Sequence, residues 1–179
     1  MNAFIDSVRN GFGGLLRFSG RDPARRFWPY AGTVVGGVMA AMTAAMIPIM
    51  NQTFARLEAP LPDTSSELLP DMTLFFAVIQ IGMGTMVLLL AAAVARRLHD
   101  RGRRGWWGLP PVMFASVAMT VFPRLFQSFS QGTATPVALK FFGLLFANNA
   151  LYLGSLALLI ILLTGASQPT ENRFGPPAP

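Results

Sequence analysis

Three stretches of this chain, 27–50, 72–95 and 141–164, run for 24 residues each without a charged side chain. As an α-helix each is ~36 Å long, enough to cross a hydrocarbon core of ~30 Å with some tilt. No water is available there, so the backbone must satisfy its own hydrogen bonds, and each run is predicted to be helical despite its glycines and β-branched residues. The rest of the composition agrees. Hydrophobic residues make up 53% and charged residues 12% of the 179 positions, and mean hydropathy is +0.48. That balance excludes an ordinary soluble domain and points to one integral membrane domain.

A fourth apolar run, 106–122, is interrupted by Pro110 and Pro111 near its start and followed by Pro123. Prolines in the first turn of a helix are tolerated because the leading N–H groups have no partner there, whereas Pro123 kinks or ends the helix. A kinked span reaching about residue 129 is preferred to a re-entrant one, because four crossings fit the charge pattern and three do not. The fold expected is therefore all-α: a four-helix transmembrane bundle with spans at 27–50, 72–95, 106–129 and 141–164. An N-terminal segment, 1–26, precedes it and a Pro-rich tail, 165–179, follows. The tail, with Pro169, Pro176, Pro177 and Pro179, is expected to be extended.

The formal net charge is +6, and 13 of the 14 basic residues are Arg. Eleven of them lie in 1–26, 96–105 and the tail, against Arg56, Arg124 and Lys140 in the two other connections. The positive-inside rule then places both termini and the 96–105 turn in the cytoplasm, with 51–71 outside carrying Glu58, Asp63, Glu67 and Asp71. The arginines flank apolar spans, so they read as topogenic and headgroup-facing, and no nucleic-acid partner is expected. The first apolar run begins at Phe27 and exceeds a signal-peptide core, so no cleavable leader is expected. No repeat of transporter type stands out.

Within 1–18, Phe4, Ile5, Val8, Phe12, Leu15 and Leu16 share one helical face. This predicts a short amphipathic helix lying on the membrane surface, weakened by Gly11, Gly13 and Gly14. The frayed alternative is an apolar tail.

Candidate sites fall into four groups. Arg96, Arg97, Arg101, Arg103 and Arg104 with Trp106 and Trp107 suit an anionic phospholipid headgroup, since guanidinium forks grip phosphate and indoles anchor depth. The same run also reads as a topogenic turn with its own salt-bridge network, in which Asp100 reaches back to Arg96. Gly32, Gly36, Ala40 and Ala44 recur every fourth residue, as do Gly37, Ala41 and Ala45, and permit close helix approach, either within the chain or to another membrane protein. Asn148 and Asn149 are intramembrane amides expected to bond across to another helix, with Gln80 and Thr85 as partners. His99 beside Asp100 lacks a nucleophile or second carboxylate, so a structural role is expected. No cysteine is present and there is a single histidine, which excludes thiolate chemistry and a multi-histidine metal or haem site within the chain. No cofactor, metal or catalytic residue is expected. Ten methionines read as gap-fillers.

Three motifs carry a resemblance. Phe18-Ser19-Gly20-Arg21 with Phe27-Trp28, Arg96-Arg97-Leu98-His99-Asp100 with Gly102, Gly105, Trp106 and Trp107, and Asn172-Arg173-Phe174-Gly175-Pro176 resemble the motifs of the DUF805 family of small bacterial inner-membrane proteins. The chain departs at Ala24 and Arg26, where the family pattern has Arg and Glu, at Arg104, where it has Ser, and at Pro177, where it has an acidic residue. The resemblance implies a four-helix inner-membrane protein and no established activity. All three motifs fall on the side that the charge count makes cytoplasmic. One cap containing Arg21, His99, Asp100 and Asn172 is therefore expected there. The function expected is a non-enzymatic accessory or scaffold subunit binding lipid and another integral membrane protein. The alternative is a small transporter or lipid-handling protein.

Overall fold

The computed structural model describes residues 2–58, 72–130 and 136–177. Five α-helices follow in order: α1 Asn2–Gly13, α2 Ala24–Glu58, α3 Thr73–Asp100, α4 Leu109–Ser130 and α5 Pro136–Thr164, with a 3₁₀ turn at Gly105–Gly108 before α4. Asp63, Glu67 and Asp71 of the expected outer loop lie outside the described residues, as do 131–135.

Four helices are long and apolar enough to cross a membrane, Ala24–Ala55, Thr73–Asp100, Gly105–Phe129 and Lys140–Thr164. In the most apolar window of each, only 6% of the residues are buried within the chain, so most residues keep some surface for lipid or for other proteins. The helices overrun the uncharged stretches. α3 runs on through Arg96 and Arg97 to Asp100, and Arg124 and Lys140, expected in a connection, lie inside α4 and α5. Charge sets where hydrocarbon ends; a helix continues past that boundary until its backbone is stopped. At α3 the stop is Gly102, at φ +68°, a left-handed position that glycine adopts without strain.

α4 continues through Pro123 to Ser130, so the third span is one helix. A proline at 123 cannot donate to the carbonyl of residue 119. The Gln80 amide of α3 donates to that same Met119 carbonyl at 2.8 Å. The orphaned acceptor is therefore met from the neighbouring helix, which is the condition for a proline inside a span.

The four rods do not close into an even bundle. α2 lies along α3 and α4 along α5, and the two pairs meet mainly through α3. The small core sits at one end, where Phe27, Tyr30 and Val34 of α2 pack with Ala93 and Leu98 of α3 and Leu159 and Leu163 of α5. α1 rests on α2 at Gly11. A Cβ added there would fall 2.1 Å from the Tyr30 ring, so glycine lets the helix seat against that ring. Tyr30 in turn donates to the Leu89 carbonyl at 2.7 Å.

Candidate functional site

The N-segment, the end of α3 and the tail converge on one end of the molecule, and arginines join them. Each guanidinium has five N–H donors and no acceptor, so each needs several carbonyls or carboxylates when buried. Helix C-termini supply them, since the last four carbonyls of a helix have no partner of their own. Arg97 donates from Nε to the Leu163 carbonyl at 3.0 Å and from Nη2 to the Gly165 carbonyl at 2.6 Å. Arg101 donates to the carbonyls of Ile161, at 3.0 Å, and Leu162. Two side chains from the end of α3 thus cap the end of α5, and their positive charge meets its negative dipole end. Arg96 turns the other way and donates to the Gly14 carbonyl at 2.7 Å and to Asp22 at 3.4 Å, fastening the chain that leaves α1. Burial raises the Asp22 carboxyl above its ordinary value, and the adjacent Arg96 opposes that shift.

Asp100 is the hub. Its Oδ2 accepts from Arg97 at 2.7 Å and its Oδ1 from Arg21 at 3.2 Å, with side-chain exposures of 0–2%. Arg21 also donates to the backbone carbonyls of Asp100, Gln168, Thr170 and Gly175, which fixes the tail. Two positive charges and one negative charge are therefore buried together, and the backbone carbonyls balance the surplus. Asn172 donates to the His99 carbonyl at 3.1 Å. Phe174 stacks on the His99 ring with centroids 3.9 Å apart and 9° between planes. His99 Nδ1 meets the Gly20 carbonyl at 3.3 Å. Among the described residues no buried side-chain nitrogen or oxygen lacks a partner.

Arg21, His99, Asp100 and Asn172 thus stand together. The pairing of Asp100 with Arg96 is corrected: the carboxylate takes Arg97 and Arg21, because the Arg96 guanidinium points to the N-segment. The anticipated headgroup set divides. Arg96, Arg97 and Arg101 are spent on internal acceptors, while Arg103, Arg104 and Trp106 are exposed and Trp107 packs against the core. Gly32, Gly36, Ala40 and Ala44 are all exposed, with nothing within 4 Å of a Cβ built at Gly32 or Gly36, so the stripe is not used between the chain's own described helices. Asn148 donates to the Phe114 carbonyl of α4 at 2.9 Å, not to Gln80 or Thr85 of α3, and Asn149 is exposed. The tail, expected to be extended, folds back instead: Asn172 and Gly175 bridge across a turn, and Gly175 sits at φ +115°. Among the described residues no three of His, Asp and Glu converge. The arrangement holds chain ends; both oxygens of Asp100 and the Nδ1 atom of His99 are engaged.

Four long apolar helices under a polar cap define a multi-pass helical membrane protein. Residues 15–176 match the family model for DUF805, described as a protein of unknown function, and the chain belongs to that family. The match includes Arg21, the 96–105 turn and the tail through Pro176, and leaves out Gly14, which accepts from Arg96. No curated protein and no solved structure matches the chain.

Proposed function

We propose that the chain is a non-enzymatic accessory or scaffold subunit of the bacterial inner membrane, with the cap in the cytoplasm. Its α2 face docks another membrane protein. The observation that carries the reading is the unused stripe of Gly32, Gly36, Ala40 and Ala44. A helix face of small residues permits backbone-close packing, and no described helix of the chain occupies it. The cap supports the same reading, because its buried charged groups are consumed in joining three chain segments. Arg103, Arg104 and Trp106, exposed at the cap's edge, contact anionic headgroups, and the exposed Phe4, Ile5 and Phe12 of α1 lie in the membrane surface.

Native mass spectrometry after extraction in a mild detergent tests this reading. The expected result is a complex, either of copies of the chain or with another membrane protein, that G36I and A40I abolish while monomer stability is kept. A bare monomer in every detergent and nanodisc contradicts it. The transporter alternative calls for a cavity lined by Asn148, Asn149 and Gln80; the amides of Asn148 and Gln80 donate to α4 carbonyls and Asn149 is exposed, which favours the docking reading.

A further inference from the structure

Not all arginines of the polar end are consumed in the cap. A cleft of about 670 Å³ opens between α1 and the first turn of α2, lined by Arg9, Arg25, Arg26, Asp6, Ser7 and Asn10 with Ala3. Ala3, Asp6, Ser7 and Asn10 recur at the spacing of a single helical face, so α1 presents one polar wall. Ser7 donates through Oγ to the Arg26 carbonyl and ties the two walls together. Below it Gly11 seats on Tyr30, which sets the distance between the helices. The Arg9, Arg25 and Arg26 guanidiniums make no hydrogen bond or ion pair with described residues. They contrast with Arg21, Arg96, Arg97 and Arg101, each of which is satisfied internally.

From this geometry we infer that the α1–α2 cleft binds a phosphate ester, with Arg9 and Arg25 as its principal grips. Three guanidiniums against the carboxylate of Asp6 in the cleft, with Asp22 close enough to Arg26 to interact with it, still leave a surplus of positive charge, which selects an anion. Guanidinium forks match phosphate oxygens bidentately, and the exposed Asn10 amide adds a neutral polar group for a hydroxyl-bearing ester. The volume exceeds that needed for an inorganic ion and lies within the roughly 300–1,000 Å³ of small-molecule sites. On the adjoining face of α1, Phe4 and Ile5 are more than half exposed, at 54% and 56%. An ester whose glycerol carries acyl chains would have apolar surface beside its phosphate. A phospholipid headgroup and a soluble glycerol phosphate share this chemistry.

The site is separable from the α2 docking face, so its failure leaves the association reading untouched. The test uses the full chain in nanodiscs of phosphatidylcholine, with and without phosphatidylglycerol. Wild-type protein is expected to keep phosphatidylglycerol through mild extraction, read by native mass spectrometry. The double variant R9Q/R25Q is expected to bind it at least about tenfold more weakly, with fold confirmed by circular dichroism. R9K/R25K, which keeps charge but not the fork, should fall between them. R124Q, which removes an exposed charge outside the cleft, should leave it unchanged. If glycerol phosphate titrated into phosphatidylcholine nanodiscs binds with the same dependence on Arg9 and Arg25 while phosphatidylglycerol does not, the site stands and its ligand is soluble. Equal retention by wild type, R9Q/R25Q and R124Q, with no glycerol phosphate uptake, overturns the site.

Discussion

Asp100 offers two oxygens to two guanidiniums in a place where its side chain is 2% exposed. Removing that charge leaves Arg21 and Arg97 buried without a counter-ion, which is costlier than losing one surface pair. D100N is expected to lower stability by about 3–5 kcal/mol and to release the tail. Limited proteolysis of wild type and variant would show the release as faster cleavage after Thr164. Phe174 makes a smaller contribution. F174A removes the stack on His99, about 0.5–1.5 kcal/mol, and should raise hydrogen exchange of the tail while leaving the four spans unchanged. At residue scale the sequence motifs showed which side chains belong together but not what they bind. Arg96, Arg97 and Arg101 aim mostly at backbone carbonyls. Every residue carries a carbonyl, so nothing in the residue pattern marks the few left unpaired at helix ends.

Helix positions were legible because hydrocarbon imposes a length and excludes charge. The three 24-residue stretches lie within, or within a residue of, an α-helix, the fourth begins in the 3₁₀ turn that leads into α4, and the excess at the ends reflects hydrogen bonding that continues into the polar layer. The partners of intramembrane amides were not legible. Gln80 goes to Met119 because Pro123 freed that carbonyl, a relation that depends on the helix register of α3 against α4. It gives a sharp expectation. Q80L should destabilise the protein by about 1–2 kcal/mol, and most of that loss should vanish in a P123A background, where an N–H is restored to the Met119 carbonyl. A thermal-unfolding double-mutant cycle measures the coupling; equal losses in both backgrounds would contradict the pairing. At α1, G11V forces a branched side chain into the Tyr30 ring and should undock the helix, seen as raised hydrogen exchange confined to residues 3–13.

For the molecule as a whole, the buried polar chemistry of the described residues is concentrated at one end, and the spans between the ends are apolar. The cap closes three chain segments over the ends of α3 and α5, while only 6% of the residues in the spans' most apolar windows are buried. The interior contacts are too few to make the spans a self-sufficient core, and in a membrane they need not be, since lipid covers apolar surface without penalty. The sequence disclosed this division through the position of its arginines. The open pairing of α2 with α3 and of α4 with α5 was hidden, because the small-residue stripe and the core-facing residues of α2 are equally apolar and only geometry separates them.

The cap requires the N-segment, the 96–105 turn and the tail to share one compartment. The chain has no cysteine, so single substitutions S19C, R103C, P177C and N51C can each be labelled in sealed vesicles with a membrane-impermeant thiol reagent. The account expects residues 19, 103 and 177 to react from the same side and residue 51 from the other. If any one of the first three labels from the side of residue 51, the cap cannot exist in the membrane.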